Sequence, residues 1–124
     1  MDRPSYMAHL RLDRLGIALS GLCAVHCVAS IVLVAALGIG GEWLLAPEIH
    51  EFGLAIAIAV GAVTIGMGVM RHGRFGPLVL GGFGLGLMSI ALIVPHGVAE
   101  ALFTIAGVGC VATAHLLNLR LHAF

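Results

Sequence analysis

The residues of this 124-residue chain best suited to chemistry are Cys23 and Cys27, four positions apart, with His26 beside the second. On a helix, a turn of about 100° per residue brings Gly16, Ser20, Cys23, His26, Cys27 and Ser30 into one stripe roughly 120° wide. A disulfide suits this spacing poorly. Cβ atoms four apart on a helix lie about 5–6 Å from each other, whereas a disulfide wants about 3.5–4.5 Å. Two thiols and an imidazole on one face can instead reach one ion. The plainer alternative makes Cys23 and Cys27 small packing residues and has His26 bond a neighbouring backbone group. Against it stands the apolar flank, within which an ionisable residue points to function. Even one side-chain charge at the centre of a membrane helix costs about 2.5–3.5 kcal/mol, so a bare divalent cation is prohibitive there. Two thiolates cancel its charge. Thiolate also selects soft or borderline ions, Hg²⁺, copper or Zn²⁺, over Mg²⁺ and Ca²⁺.

The elements that must position these residues follow from composition. The chain is 60% hydrophobic and 10% charged, with mean hydropathy +1.13; a soluble domain carries about 25% charged residues. Six Arg balance six acids and Lys is absent, which excludes a polybasic nucleic-acid binder and an acidic disordered tail. Three Cys are too few for a disulfide scaffold. Four apolar runs, Leu15–Ile39, Phe52–Met70, Phe75–Val94 and Ala101–Leu119, meet the roughly 20 residues a helical span requires. The first is too long for the h-region of a cleavable signal, about 7–15 residues. The expected fold is therefore all-α: an integral-membrane bundle of four transmembrane helices forming a single domain over residues 1–124. Arg3, Arg11, Arg14, Arg71, Arg74 and Arg120 all fall on one side of it, and Glu42, Glu48, His50, Glu51, His96 and Glu100 on the other. Basic residues are retained in the cytoplasm, which places both termini there. Trp43 suits an interfacial anchor, and Gly81, Gly82, Gly84 and Gly86 of the third span, among them Gly82 and Gly86 at GxxxG spacing, are the expected packing glycines.

Further candidates lie above and below the cysteines. His50 and Glu51 open the second span and His96 and Glu100 the fourth; all four could collect an incoming cation, or serve as solvated capping residues. On the fourth helix Glu100, Thr104, Gly107, Val111, His115 and Asn118 share a stripe about 60° wide. His115 could receive an ion inward of the cysteines, or hydrogen-bond Ser20 across the bundle. Cys110, Met67, Met70 and Met88 read as packing residues, and His9 and His72 as solvated histidines. P-loop, GxSxG and Ser/His/Asp signatures are absent from the sequence, so no enzyme is expected.

The run Gly21-Leu22-Cys23-Ala24-Val25-His26-Cys27, the His50-Glu51 helix start, the Arg71-His72 turn and the closing Ala114-His115-Leu116-Leu117-Asn118 together resemble the MerC family of small inner-membrane mercury-resistance proteins. The likeness covers nearly the whole chain. It implies Hg²⁺ uptake across the bacterial inner membrane toward the cytoplasm, with Cys23 and Cys27 as carriers. The chain departs from members that carry a second, cytoplasmic cysteine pair, since after Cys27 only Cys110 remains. The metal set expected is Cys23, Cys27, His26, His50, Glu51, His96, Glu100 and His115, with no tightly bound cofactor and the metal ion as cargo. A homo-oligomer and a cytoplasmic metal acceptor are candidate partners besides the bilayer. Two alternatives keep the architecture: a transporter of Zn²⁺ or copper, and a redox or haem-anchoring subunit with His26 and His115 as axial ligands.

Overall fold

A computed structural model describes residues 3–38, 43, 46–95 and 97–122. Its described residues form four helices: α1 (Arg3–Val32), which runs on into a π-helical turn (Leu33–Leu37), α2 (Pro47–His72), α3 (Gly76–Ile93) and α4 (Val98–His122). All four are long and apolar enough to cross a membrane. In hydrocarbon each backbone group must find its partner within the helix, and five of the hydroxyls follow the same pattern. Ser20, Ser30, Thr64, Ser89 and Thr113 each donate to the carbonyl four residues back.

Helix α1 differs most from its expected bounds. It starts at Arg3 rather than Leu15, so Arg3, Arg11 and Arg14 belong to the helix instead of preceding it. Thirty residues at about 1.5 Å each make a rod of roughly 45 Å, longer than a hydrocarbon core of about 30 Å. Helix α2 stops at Gly73, whose φ of +68° and N–H bond to the Val69 carbonyl (2.8 Å) close the helix in a left-handed cap. Pro77 then starts α3, so the turn between these two spans is short.

Helix α4 is the hub, packing most extensively along α3 and then along α1. The α3–α4 seam does not use Gly82 and Gly86. Those two face open space, and the buried glycines are Gly81 and Gly84. A Cβ added to Gly84 would come within 2.6 Å of the Gly107 carbonyl and 2.8 Å of Cys110 Cβ, which is the close backbone approach that membrane packing favours. GxxxG spacing identified the right kind of helix but not which of its glycine pairs meets a partner. Large apolar residues such as Leu22, Val25, Val79, Phe83 and Ile93 point outward, where lipid replaces water as their solvent.

Candidate metal centre

The polar stripe of α1 faces inward as its periodicity requires. Gly16, Ser20, Cys27 and Ser30 are buried, while Cys23 and His26 are half-buried at its margin. On α4 every member of the expected stripe, Glu100, Thr104, Gly107, Val111, His115 and Asn118, is buried. These two faces meet, and the antiparallel run of α1 against α2 and α4 sorts their polar groups by depth.

At the outer end a cavity of about 220 Å³ is lined by Cys27, Ser30, His50, Glu100 and apolar residues that include Val34 and Ala35 of the π turn. Cys27 is 6% exposed and Glu100 7%. His50 Nδ1 stands 3.8 Å from Glu100 Oε1, and the His50 ring meets His26 edge to face with centroids 5.5 Å apart. Buried His26 Nε2 has no hydrogen-bond partner. Ser30 donates to the His26 carbonyl at 2.6 Å. Cys27 thus lies level with the first turns of α2 and α4, in the outer part of the span rather than near its middle.

Cys23 borders a different space. Its Sγ lies against Gly53 of α2, 3.7 Å from where a Cβ would stand. It lines a narrow crevice with Gly16, Ser20, Met88, Val111 and His115. At the floor of this crevice is a network that the sequence reading did not anticipate. Asp13, 0% exposed, accepts from His115 Nδ1 at 2.8 Å and from Asn118 Nδ2 at 3.2 and 2.9 Å through its two oxygens. Asn118 Nδ2 also donates to the Thr64 carbonyl at 3.2 Å. The Arg74 N–H donates to His72 Nδ1 (3.1 Å), which assigns the proton to His72 Nε2, and that nitrogen donates to Asn118 Oδ1 at 2.9 Å. One connected set of hydrogen bonds therefore ties α1, the end of α2 and α4 together. His115 is 1% exposed and its imidazole rests on the bare backbone of Gly16, where any Cβ would collide with it. Gly68 accommodates Asn118 in the same way.

Among the described residues, no three His, Cys, Asp or Glu side chains converge as a ready-made metal cage. The donors are instead spread along the bundle: Glu100 and His50 with Cys27, then Cys23, then His115. Residues 13–120 match the family model described as MerC mercury resistance protein. The chain belongs to the MerC family. No curated protein and no solved structure matches it. As a MerC-family member with four membrane-length helices, it is a multi-pass membrane protein of mercury resistance.

Of the residues expected at the site, Cys27, His50 and Glu100 come together, with His26 against His50. Cys23 and His115 share the inner crevice. Glu51 is exposed and does not line the outer cavity, and His96 lies outside the described residues. Of the two alternatives for His115, the bond to Ser20 does not form, because Ser20 donates to the Gly16 carbonyl at 2.9 Å and His115 takes Asp13. Nor are His72 and His9 solvated. His72 is half-buried against Asn118 and His9 is buried. Asp13 was missed even though it extends the stripe one turn below Gly16, because Arg11 and Arg14 on either side mark that turn as a membrane boundary.

Proposed function

We propose that this MerC-family chain carries Hg²⁺ across the bacterial inner membrane toward the cytoplasm by thiolate ligand exchange, without catalysing a chemical transformation. The observation that carries this reading is the division of donors by depth: Cys27 opens on the outer cavity with Glu100 and His50, and Cys23, one helical turn inward, on the crevice that ends at His115. Glu100 supplies negative charge where a cation arrives. Cys27 provides the first soft ligand, and Cys23 can take over one side of the ion before Cys27 releases it. At the point where both sulfurs bind, the two thiolates neutralise a divalent ion and the complex crosses the apolar zone without net charge. The thiol protons return to the outer aqueous side as metal binds.

Metal uptake by cells or proteoliposomes tests this. Cys23→Ser with Cys27→Ser is expected to reduce Hg²⁺ accumulation to that of a control lacking the protein. Undiminished Hg²⁺ uptake in that variant overturns the proposal, and if Zn²⁺ or copper uptake is the activity lost, the cargo has been misassigned.

A further inference from the structure

We infer that the hydrogen bonds joining Asp13, His115, Asn118 and His72 are a cytoplasmic gate, shut in this conformation, which must part before an ion held at Cys23 can leave the bundle inward. The inference rests on the thiolate relay proposed above and adds its release step. The first observation is the unequal space on the two sides of the cysteines. The cavity beside Cys27 measures about 220 Å³, whereas the crevice that runs inward from Cys23 measures about 10 Å³. One water needs roughly 10–15 Å³, so the crevice gives no passage to an ion. The bundle is open outward and closed inward.

The second observation is where the closure lies. Gly16, on which the His115 ring rests, stands seven positions below Cys23 on α1, roughly 10 Å by helix rise. Asp13 follows within the next turn and is 0% exposed. An ion at Cys23 therefore does not touch the network, which lies across its way out. The members come from three helices: Asp13 from α1, the Thr64 carbonyl and His72 from α2, and His115 and Asn118 from α4. Opening the route means separating the inner part of α1 from α4 and from the end of α2. His115 and Asn118 are seated against the bare backbones of Gly16 and Gly68, so no interlocked side chain has to be displaced when they withdraw.

The third observation is that the closure is polar. Apolar side chains of similar volume would fill the same space without desolvating a carboxylate, and such replacements are often neutral or stabilising. Hydrogen-bonding groups gain the advantage where a closure has to be undone, because water or the passing ion takes over their bonds once the helices part. A buried carboxylate in a membrane helix is by default a mark of an ion pathway.

The test uses the full chain in vesicles, with a charged, bilayer-impermeant maleimide applied to the face that carries the chain termini. In Cys27→Ser/Cys110→Ser only Cys23 remains to be labelled, and with the network intact its labelling is expected to be slow. Asp13→Asn keeps the side-chain shape but turns one acceptor into a donor facing the Asn118 amide, and Asn118→Ala removes the amide altogether. Each is expected to speed labelling of Cys23 about 10-fold, the change in the shut–open balance that loss of one or two hydrogen bonds produces. Cys23→Ser/Cys27→Ser, which leaves only Cys110 on the α3–α4 seam, reports whether the whole bundle has loosened, and its labelling should not change. Rapid labelling of Cys23 with the network intact, no acceleration by either substitution, or an equal acceleration at Cys110 overturns the gate. The labelling needs no metal, whereas failure of the relay is read from Hg²⁺ uptake by the double-serine chain, so the two failures are distinct.

Discussion

The bundle holds two polar regions built on opposite principles. At the outer end, His50 and Glu100 stand 3.8 Å apart beside a cavity of about 220 Å³, a long contact with open space next to it. At the inner end, Asp13, His115, Asn118 and His72 are joined by hydrogen bonds of 2.8–3.2 Å, and the adjoining crevice is narrow. The outer group has room to accept an ion, whereas the inner group has used its polar capacity to hold three helices together. A side chain in the first should therefore matter for metal and little for stability. One in the second should matter for both.

The largest difference is expected between His115→Ala and His50→Ala. The first leaves the Asp13 carboxylate buried without its imidazole partner. Removing a hydrogen-bond donor from a buried acceptor costs about 1–3 kcal/mol, and the remaining Asn118 bonds offset only part of it. The second removes a half-buried ring from the edge of a cavity, and its effect on stability should stay below about 1 kcal/mol. Unfolding of the detergent-solubilised chain by SDS titration measures both. Equal losses would erase the distinction between a knotted inner end and an open outer one.

A second contrast separates the glycines. Gly16→Ala drives a methyl group into the His115 ring and Gly84→Ala drives one into the Gly107 backbone; overpacking of this kind costs about 1–3 kcal/mol. Gly82→Ala and Gly86→Ala place the same methyl in open space and should change stability by no more than about 0.5 kcal/mol. The same SDS titration ranks all four. A ranking in which Gly82 and Gly86 are the costly pair would mean that they meet a neighbouring molecule in the membrane, which is the homo-oligomer anticipated from sequence.

These contrasts also explain what could be read beforehand. Four spans were legible because hydrocarbon thickness imposes a length that few other constraints imitate, and the two polar stripes were legible because a helix repeats its faces at a fixed angle. The α4 stripe from Glu100 to Asn118 is buried residue for residue. Partner choice was not legible. Whether His115 faces Ser20 or Asp13 depends on how far one helix slides along another, and a slide of two turns, about 10.5 Å, exchanges the two. Helix ends were equally opaque at Asp13, since a carboxylate between two Arg looks the same in sequence whether it is solvated or sealed. The outer cavity depends on the π turn at Leu33–Leu37, where one helical register gives way to another in a run of ordinary apolar residues. Such turns often accompany functional sites, but Leu-Val-Ala-Ala-Leu carries no local signal for one.

Thr104 joins the two regions and gives the smallest and sharpest test. It sits one turn inward of Glu100 on the α4 stripe, and the pairing of Cys27 with Glu100 and of Asp13 with His115 sets it level with Cys23. Its hydroxyl is buried with no hydrogen-bond partner, unlike Ser20, Ser30 and Thr64, which bond back to their own helices. An unsatisfied buried hydroxyl is a standing cost, and replacement by an apolar group of the same shape is neutral or favourable. Thr104→Val is therefore expected to raise stability by up to about 1 kcal/mol. If the hydroxyl is merely misplaced, Hg²⁺ uptake will be unchanged. If it is left unpaired because the ion passes it between Cys27 and the crevice, the more stable variant will transport more slowly, and stability and transport will move in opposite directions at a residue that carries no charge.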